Sequence, residues 1–152
     1  MRSFLAAVAA VLTLSLASTS IGNAAERRTQ HLLAIQVDQN DPAVMNLALN
    51  NAKNVMEHYH GKGEDVEVQI VAYGPGLHML RDDTSPVKDR IKQLSGGSVP
   101  GKITFAACNN TKQGMEKREG HAITIIPQAT IVPSGVVQLM ELQEQGWSYV
   151  RP

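Results

Sequence analysis

The sequence predicts a three-layer α/β/α domain built on a five-stranded, mainly parallel sheet. Short apolar runs alternate with helical patterns five times, which is the order expected of strands joined by crossover helices. The strand-like runs become continuously apolar, as strands covered on both faces do. At 152 residues the chain has room for one domain with a real core, and it contains no internal repeat.

The first strand and helix follow from an apolar run and a well-capped start. Residues 31–37 form the apolar run, which ends at Asp38. Asp41 is a favoured N-cap residue, and Pro42 suits the first helical turn. Apolar residues then recur at steps of three and four, which predicts a helix over residues 42–59.

The middle of the chain predicts one strand and two short helices. Residues 66–73 start by alternating and become continuously apolar, which predicts the second strand. A sharp Gly-Pro-Gly turn at residues 74–76 precedes a short helix near residues 77–80. Ser and Pro at residues 85–86 open the next helix, and the Gly/Ser-rich residues 95–101 predict a flexible surface connection.

The third strand is predicted over residues 102–107 and ends at Cys108. Asn109 or Asn110 is expected to cap a polar helix over residues 111–118. Residues 121–126 fit either a strand or an apolar crossover segment. Short strands are predicted at residues 129–132 and 147–150. The helix between them, residues 136–145, has these candidate inward positions: Val137, Leu139, Met140 and Leu142.

The first 25 residues are typical of a secretory signal. A positive start and an apolar run at residues 4–17, too short for a membrane span, precede small residues that predict cleavage near Ala24 or Ala25. The mature domain is then residues 26–152, a periplasmic chain with no membrane span. An uncleaved anchor is the alternative interpretation of the same segment.

Composition and motifs argue against several classes of function. Lys plus Arg and Asp plus Glu number 14 each and aromatic residues make up 4%, so no nucleic-acid surface is expected. No Gly-rich phosphate motif occurs, and Asp38 and Asp41 would repel phosphate, so no nucleotide or flavin cofactor is expected. His58 and His60 lie two apart on a helix and face different ways, which argues against a metal site.

Cys108 is the leading candidate for chemistry. It ends a predicted parallel strand, at the edge where such sheets bind ligands, and precedes a helix whose N-terminus favours a thiolate. Lys112 is expected to add positive charge. A thiolate needs no neighbouring base for sulfur transfer or thiol exchange. The position equally suits a small buried apolar residue, so the residues alone leave both interpretations open.

Further turns at this edge of the sheet supply candidate binding residues. Gly74 lies in the turn after the second strand, and His78 follows it towards the same cleft. Ser134 and Gly135 begin a helix, where backbone N–H groups suit an anion. An N-cap serine with a turn glycine explains the same pair, and Ser134 lacks the G-x-S-x-G context of a serine hydrolase.

The sequence resembles the DsrE/DsrF-like family, and in particular its small single-domain members. The resemblance spans residues 31–152 and rests on Cys108-x-Asn110-Thr111 after a strand, on residues 132–136 and on residues 142–152. It implies a five-stranded parallel fold that assembles into homo-oligomers, commonly trimers or hexamers. In sulfur-relay members the cysteine at this strand end carries a persulfide, a role that falls on Cys108. The residues that match the pattern as site lining are Asn110, Thr111, Ser134 and Gly135.

The resemblance therefore implies a periplasmic, sulfurtransferase-like sulfur carrier with a small sulfur donor and an acceptor thiol as its partners. The characterised relay members work in the cytoplasm, whereas this chain has a predicted export signal. Two other functions stay open. One is a non-enzymatic homo-oligomeric module that binds a small anion or a partner protein. The other is a thiol redox sensor, in which Cys108 forms a sulfenic acid or an intermolecular disulfide.

Overall fold

A computed structural model describes residues 30–152, so the predicted signal sequence, residues 1–25, lies outside the described part of the chain. The strands are β1 (Gln30–Val37), β2 (Asp65–Ala72), β3 (Lys102–Cys108), β4 (Ala129–Val132) and β5 (Ser148–Val150). The helices are α1 (Pro42–His60), α2 (Lys88–Gln93), α3 (Asn109–Glu119) and α4 (Gly135–Glu144), with a 3₁₀ helix at Gly74–Leu80. Within residues 30–152 no helix has the length and apolar character needed to cross a bilayer.

The five strands form one parallel sheet in the order β4-β3-β2-β1-β5. Every strand pairing in this sheet is parallel, which confirms the predicted fold class. The chain adds β2, β3 and β4 on one side of β1 and then returns to place β5 on the other side. Because crossovers between parallel strands are right-handed, this reversal puts α4 on the opposite face from the other helices.

Two hydrophobic clusters, one on each face, explain why the strands are continuously apolar. The larger cluster joins Ile35 and Ile70 of the sheet to Met45 and Leu49 of α1. The smaller cluster consists of Ala34, Val71 and Ala106 of the sheet with Leu139 and Leu142 of α4. The sheet is therefore covered on both faces, as in the predicted three layers.

The start of α1 has the predicted cap. The Asp41 carboxylate accepts a hydrogen bond of 2.7 Å from the Ala43 N–H, and Pro42 occupies the first turn. The helix then runs to His60, one residue beyond the prediction. The cap satisfies an N–H group that has no partner within the helix.

Two of the predicted local features differ in the structure, and residues 121–126 take one of their two predicted forms, the crossover segment. In α4, Val137 and Met140 are 46% and 55% exposed, because the helix meets only small strand residues through a narrow face. Residues 94–98 form a helical turn with Gly97 at φ +83°, where an open connection was predicted. Residues 121–126 form no strand and contribute only a bridge between Ile125 and Arg81.

Candidate functional site

Cys108 lies at the carboxyl end of β3, and its own side chain caps the next helix. The Thr111 backbone N–H donates to Cys108 Sγ at 3.4 Å. Helix α3 begins at Asn109, directly after the strand, so Cys108 occupies the N-cap position. The expectation that Asn109 or Asn110 caps this helix is therefore wrong, because both residues already belong to its first turn.

A second helix N-terminus converges on the same sulfur atom. The backbone N–H groups of Gly135, at the start of α4, and of Asn110 also lower the pKa of the Cys108 thiol. The two helix starts are held together because the Asn110 N–H also donates to the Pro133 carbonyl, at 3.3 Å. Unpaired N–H groups at helix starts carry partial positive charge, so their convergence favours an anion at Sγ.

These donors set the protonation of the thiol. Burial raises the pKa of the Cys108 thiol, but hydrogen bonds from the Thr111 hydroxyl and from the N–H groups of Thr111, Gly135 and Asn110 outweigh it and lower the pKa. The Thr111 hydroxyl is well placed to donate, because its oxygen accepts the Gly74 N–H at 2.9 Å and its hydrogen remains available. Cys108 is therefore more readily deprotonated than an ordinary cysteine and more nucleophilic at neutral pH.

The structure explains in two different ways why glycine occupies the two predicted positions, 135 and 74. Gly135 is buried against Tyr73, where a Cβ atom would lie 2.8 Å from Tyr73 Cβ. Its lack of a side chain lets the start of α4 approach the sheet and bring its N–H to Cys108. Gly74 has φ +52°, a left-handed conformation that side chains disfavour, and its N–H orients Thr111. Both glycines thus act on the sulfur site through the backbone.

Two other predicted contributions take different forms in the structure. Ser134 occupies the N-cap position of α4, as the alternative interpretation predicted, but its hydroxyl makes no capping hydrogen bond. Lys112 Nζ lies 2.6 Å from Glu116 Oε1, one turn along α3. Its charge is therefore already paired, and Lys112 is not a free cation for the thiolate.

A pocket of about 400 Å³ adjoins the cysteine site on the α3 side. Gly74, Asn110 and Thr111 line it, so the structure brings together three of the predicted binding residues. His78 also lines it, as its place after the 74–76 turn suggested. Arg118 also lines it and was not predicted, although it lies seven residues after Thr111 and therefore on the same helical face.

A polar network on the other side of the site was also missed. The Tyr149 hydroxyl donates to Gln36 Oε1 at 2.5 Å, and Gln36 Nε2 donates to Asp38 Oδ2 at 3.0 Å. Arg151 Nη2 donates to both Asp38 oxygens, at 3.2 and 2.9 Å. Burial and the nearby Asp38 charge raise the pKa of Tyr73, so the phenol beside Gly135 stays protonated at neutral pH.

The part of the chain that the structure describes has no candidate metal-binding cluster, and two comparisons with known proteins found no match for this chain. Within residues 30–152 no group of three or more His, Cys, Asp or Glu side chains is arranged to hold a metal ion. No protein-family model matches the chain. No curated protein matches it either.

The fold does match a solved structure. The chain is similar to MTH1491 from Methanobacterium thermoautotrophicum, described as a protein of unknown function, with 27% sequence identity and a TM-score of 0.65. The match covers 82% of this chain and 99% of that one. The similarity supports the whole parallel domain as one unit, and it carries no information about activity.

Proposed function

We propose that this protein is an exported sulfur carrier of the DsrE/DsrF-like kind, in which Cys108 holds a persulfide. One observation supports this most directly, namely that two helix starts meet at the only cysteine of the chain, where the Thr111 N–H donates to Sγ and the N–H groups of Asn110 and Gly135 help to lower the thiol pKa. A cysteine that merely filled the core would need none of these donors. The same donors stabilise a thiolate before transfer and a persulfide anion after it.

The proposed reaction needs no cofactor. The Cys108 thiolate attacks a sulfane sulfur of an inorganic polysulfide, an Sγ–S bond forms, and the S–S bond of the donor breaks. The shortened polysulfide leaves with the electron pair of that bond. An acceptor thiolate then attacks the outer sulfur of the persulfide, and Cys108 leaves again as the thiolate. The sulfane sulfur moves without net oxidation or reduction.

The low exposure of the cysteine restricts the first reactant. Cys108 is only 4% exposed, so a small, unbranched donor reaches Sγ more easily than a thiol on a protein surface. Attachment of a second sulfur extends the side chain by one atom, so the outer sulfur lies farther from the main chain than Sγ does. Burial thus favours small donors for loading and protects the thiolate from larger oxidants.

The proposed location is the periplasm, on the basis of the predicted signal sequence. With one cysteine the mature chain has no internal disulfide to form in an oxidising compartment. Sulfur loading of this thiol then competes with a disulfide bond between two chains. The low exposure of Cys108 disfavours the disulfide bond. Export also implies that its sulfur donor and acceptor are present in the same compartment.

Exposure to polysulfide is expected to add the mass of one sulfur atom to Cys108 in the folded protein. The C108S variant should gain none. The pH profile of alkylation should have a lower midpoint in the native state than in denaturant, because the same thiol loses its N–H donors on unfolding. A native midpoint at or above the denatured one, or intact protein that gains no sulfur, would refute the carrier. A sulfenic acid or a dimer on non-reducing gels would instead indicate a redox sensor.

We also propose a homo-oligomer, a trimer or a hexamer, assembled through α4 and the β4 edge. The exposed large apolar residues there are Ile131, Val136, Val137 and Met140. Several exposed large apolar side chains on one helix and the adjoining edge strand favour a contact with another chain. The surface adjoins the cysteine site, since β4 pairs with β3 and Val132 lies opposite Cys108.

A charge on this surface is expected to dissociate the oligomer. Met140→Glu places a carboxylate in the proposed contact, so the mass measured by light scattering should fall to that of one chain. Leu47→Glu is the matched control, because Leu47 is 45% exposed but lies on α1, on the opposite face of the sheet. A monomeric parent protein, or the same mass for the parent and Met140→Glu, would contradict the proposed assembly.

A further inference from the structure

The pocket beside Cys108 has a positive charge that the protein itself does not balance. Arg118 lines the pocket and makes no hydrogen bond or ion pair with any other residue of the described chain. No Asp or Glu lines the pocket, and its other polar groups include the side chains of Asn40, His78 and Asn110. A guanidinium group has the planar, two-donor geometry that matches a carboxylate. Arg118 is exposed to solvent, so its guanidinium is free to pair with an anion from outside the chain.

Gly114 is a second, independent feature of this pocket. It lies in the interior of α3, where glycine is less favourable than alanine. Packing does not require it, since an added Cβ would meet only Arg118 Nη1, at an ordinary contact distance of 3.8 Å. The missing side chain leaves space in the pocket wall directly beside the unpaired guanidinium.

We propose that this pocket binds the carboxylate end of a small organic thiol or its persulfide, which rests on the sulfur-carrier function proposed for Cys108. Thr111 connects the pocket to Cys108, because its N–H donates to Sγ and the residue also lines the pocket. At about 1.5 Å per helical residue, Arg118 lies on the order of 10 Å from Thr111 along α3. That separation matches a thiol peptide of about three residues and exceeds the length of a short inorganic polysulfide.

The corresponding transfer step is balanced without a further reactant. The Cys108 thiolate attacks the terminal sulfur of the organic persulfide R–S–SH, and the S–S bond of that donor breaks. The products are the Cys108 persulfide, which keeps the proton on its outer sulfur, and the thiolate R–S⁻, which keeps the electron pair. Arg118 holds the carboxylate of R throughout and is a positioning residue.

Reduced glutathione is the probe for the pocket, and binding is measured by calorimetry on the full chain with Cys108→Ser, which prevents thiol exchange. Arg118→Gln on that background is expected to weaken binding at least tenfold. Gly114→Leu, with its fold checked by circular dichroism, should abolish binding by filling the pocket. The control is Lys117→Gln, which removes an adjacent α3 cation outside the pocket and should change the affinity less than twofold. Undetectable binding, or equal losses for Arg118→Gln and Lys117→Gln, would overturn the proposal.

The rate of loading from glutathione persulfide distinguishes failure of the proposed pocket from failure of the sulfur-carrier function. With Cys108 present, Arg118→Gln should slow loading at least tenfold relative to Lys117→Gln, and equal rates would overturn the positioning role. The unaltered protein with inorganic polysulfide tests the carrier function alone. A protein that binds glutathione but accepts no sulfur from either donor would refute both the carrier function and the persulfide step. The same result would support a carboxylate-binding site.

Discussion

Replacing Gly76 with alanine is expected to lower the free energy of unfolding by about 3 kcal/mol, because the new methyl group overpacks a site that cannot yield. An alanine Cβ would lie 2.2 Å from the Val37 carbonyl oxygen, 2.6 Å from its carbon and 2.8 Å from Asp38 Cα. All three are main-chain atoms at the end of β1, so no side-chain rotation relieves the contact. The 3₁₀ helix must then move away from the sheet.

Urea unfolding of Gly76→Ala against Gly96→Ala measures this effect. Gly96 has no atom within 4 Å of an added Cβ, so its replacement should stay within about 0.5 kcal/mol of the parent protein. Movement of the 3₁₀ helix also withdraws Gly74 from Thr111, so Gly76→Ala should raise the pKa of Cys108 as well. Equal stability of the two variants would show that the 3₁₀ helix shifts without cost.

The fold was predictable because strands that are buried on both faces are continuously apolar in sequence. Each of the three central strands, β1 to β3, is an apolar run, since both of its faces are covered. The start of α1 was equally clear, because Asp41 and Pro42 are favoured there for local reasons. In α4, apolar residues occupy both faces of the helix. Its periodicity therefore did not show that Leu139 is buried and Met140 exposed.

The candidate site was predicted in position but not in mechanism. The strand end at Cys108 follows from the chain order, whereas the donors on its sulfur come from two helices that only the fold brings together. Sequence rules for helix caps favour Asn over Cys, which is why Asn109 and Asn110 were expected to cap α3. Arg118 was missed because a charged residue on a polar helix carries no sign of whether a partner lies beside it.

Arg81 also has a role that its sequence context did not predict, and its replacement by methionine is expected to cost about 2 kcal/mol, because both partner carboxylates are partly exposed to solvent. The residue is 2% exposed. Its guanidinium donates two hydrogen bonds to Asp83, at 2.9 and 2.7 Å, and two to Glu119, at 2.7 and 2.8 Å. Arg81 thereby ties the end of the 3₁₀ helix to the end of α3. Methionine leaves Asp83 and Glu119 without the guanidinium, with His121 Nε2, 3.4 Å from Glu119 Oε2, as a remaining basic group.

The loss in Arg81→Met should depend on pH in a defined direction. The Arg81 hydrogen bonds lower the pKa of Asp83 from 3.8 to about 2, and they also lower the pKa of Glu119. A depressed folded-state pKa adds stability above the unfolded-state value, and that contribution disappears as the pH falls through the folded-state value. The difference between the parent protein and Arg81→Met should therefore be full near neutral pH and shrink between pH 3.8 and about 2.

Urea unfolding at a series of pH values tests this dependence, with Lys88→Met as the control. Lys88 also pairs with an aspartate, Asp82, at 3.0 Å, but both side chains are largely exposed. Its loss should cost at most about 1 kcal/mol, as for surface ion pairs in general. A cost for Arg81→Met that stays constant down to pH 2 would mean that the methionine variant loses packing around Met115 and not the two ion pairs. A cost that falls with pH assigns the stabilisation to the two carboxylates, because they are the titratable groups to which Arg81 donates hydrogen bonds.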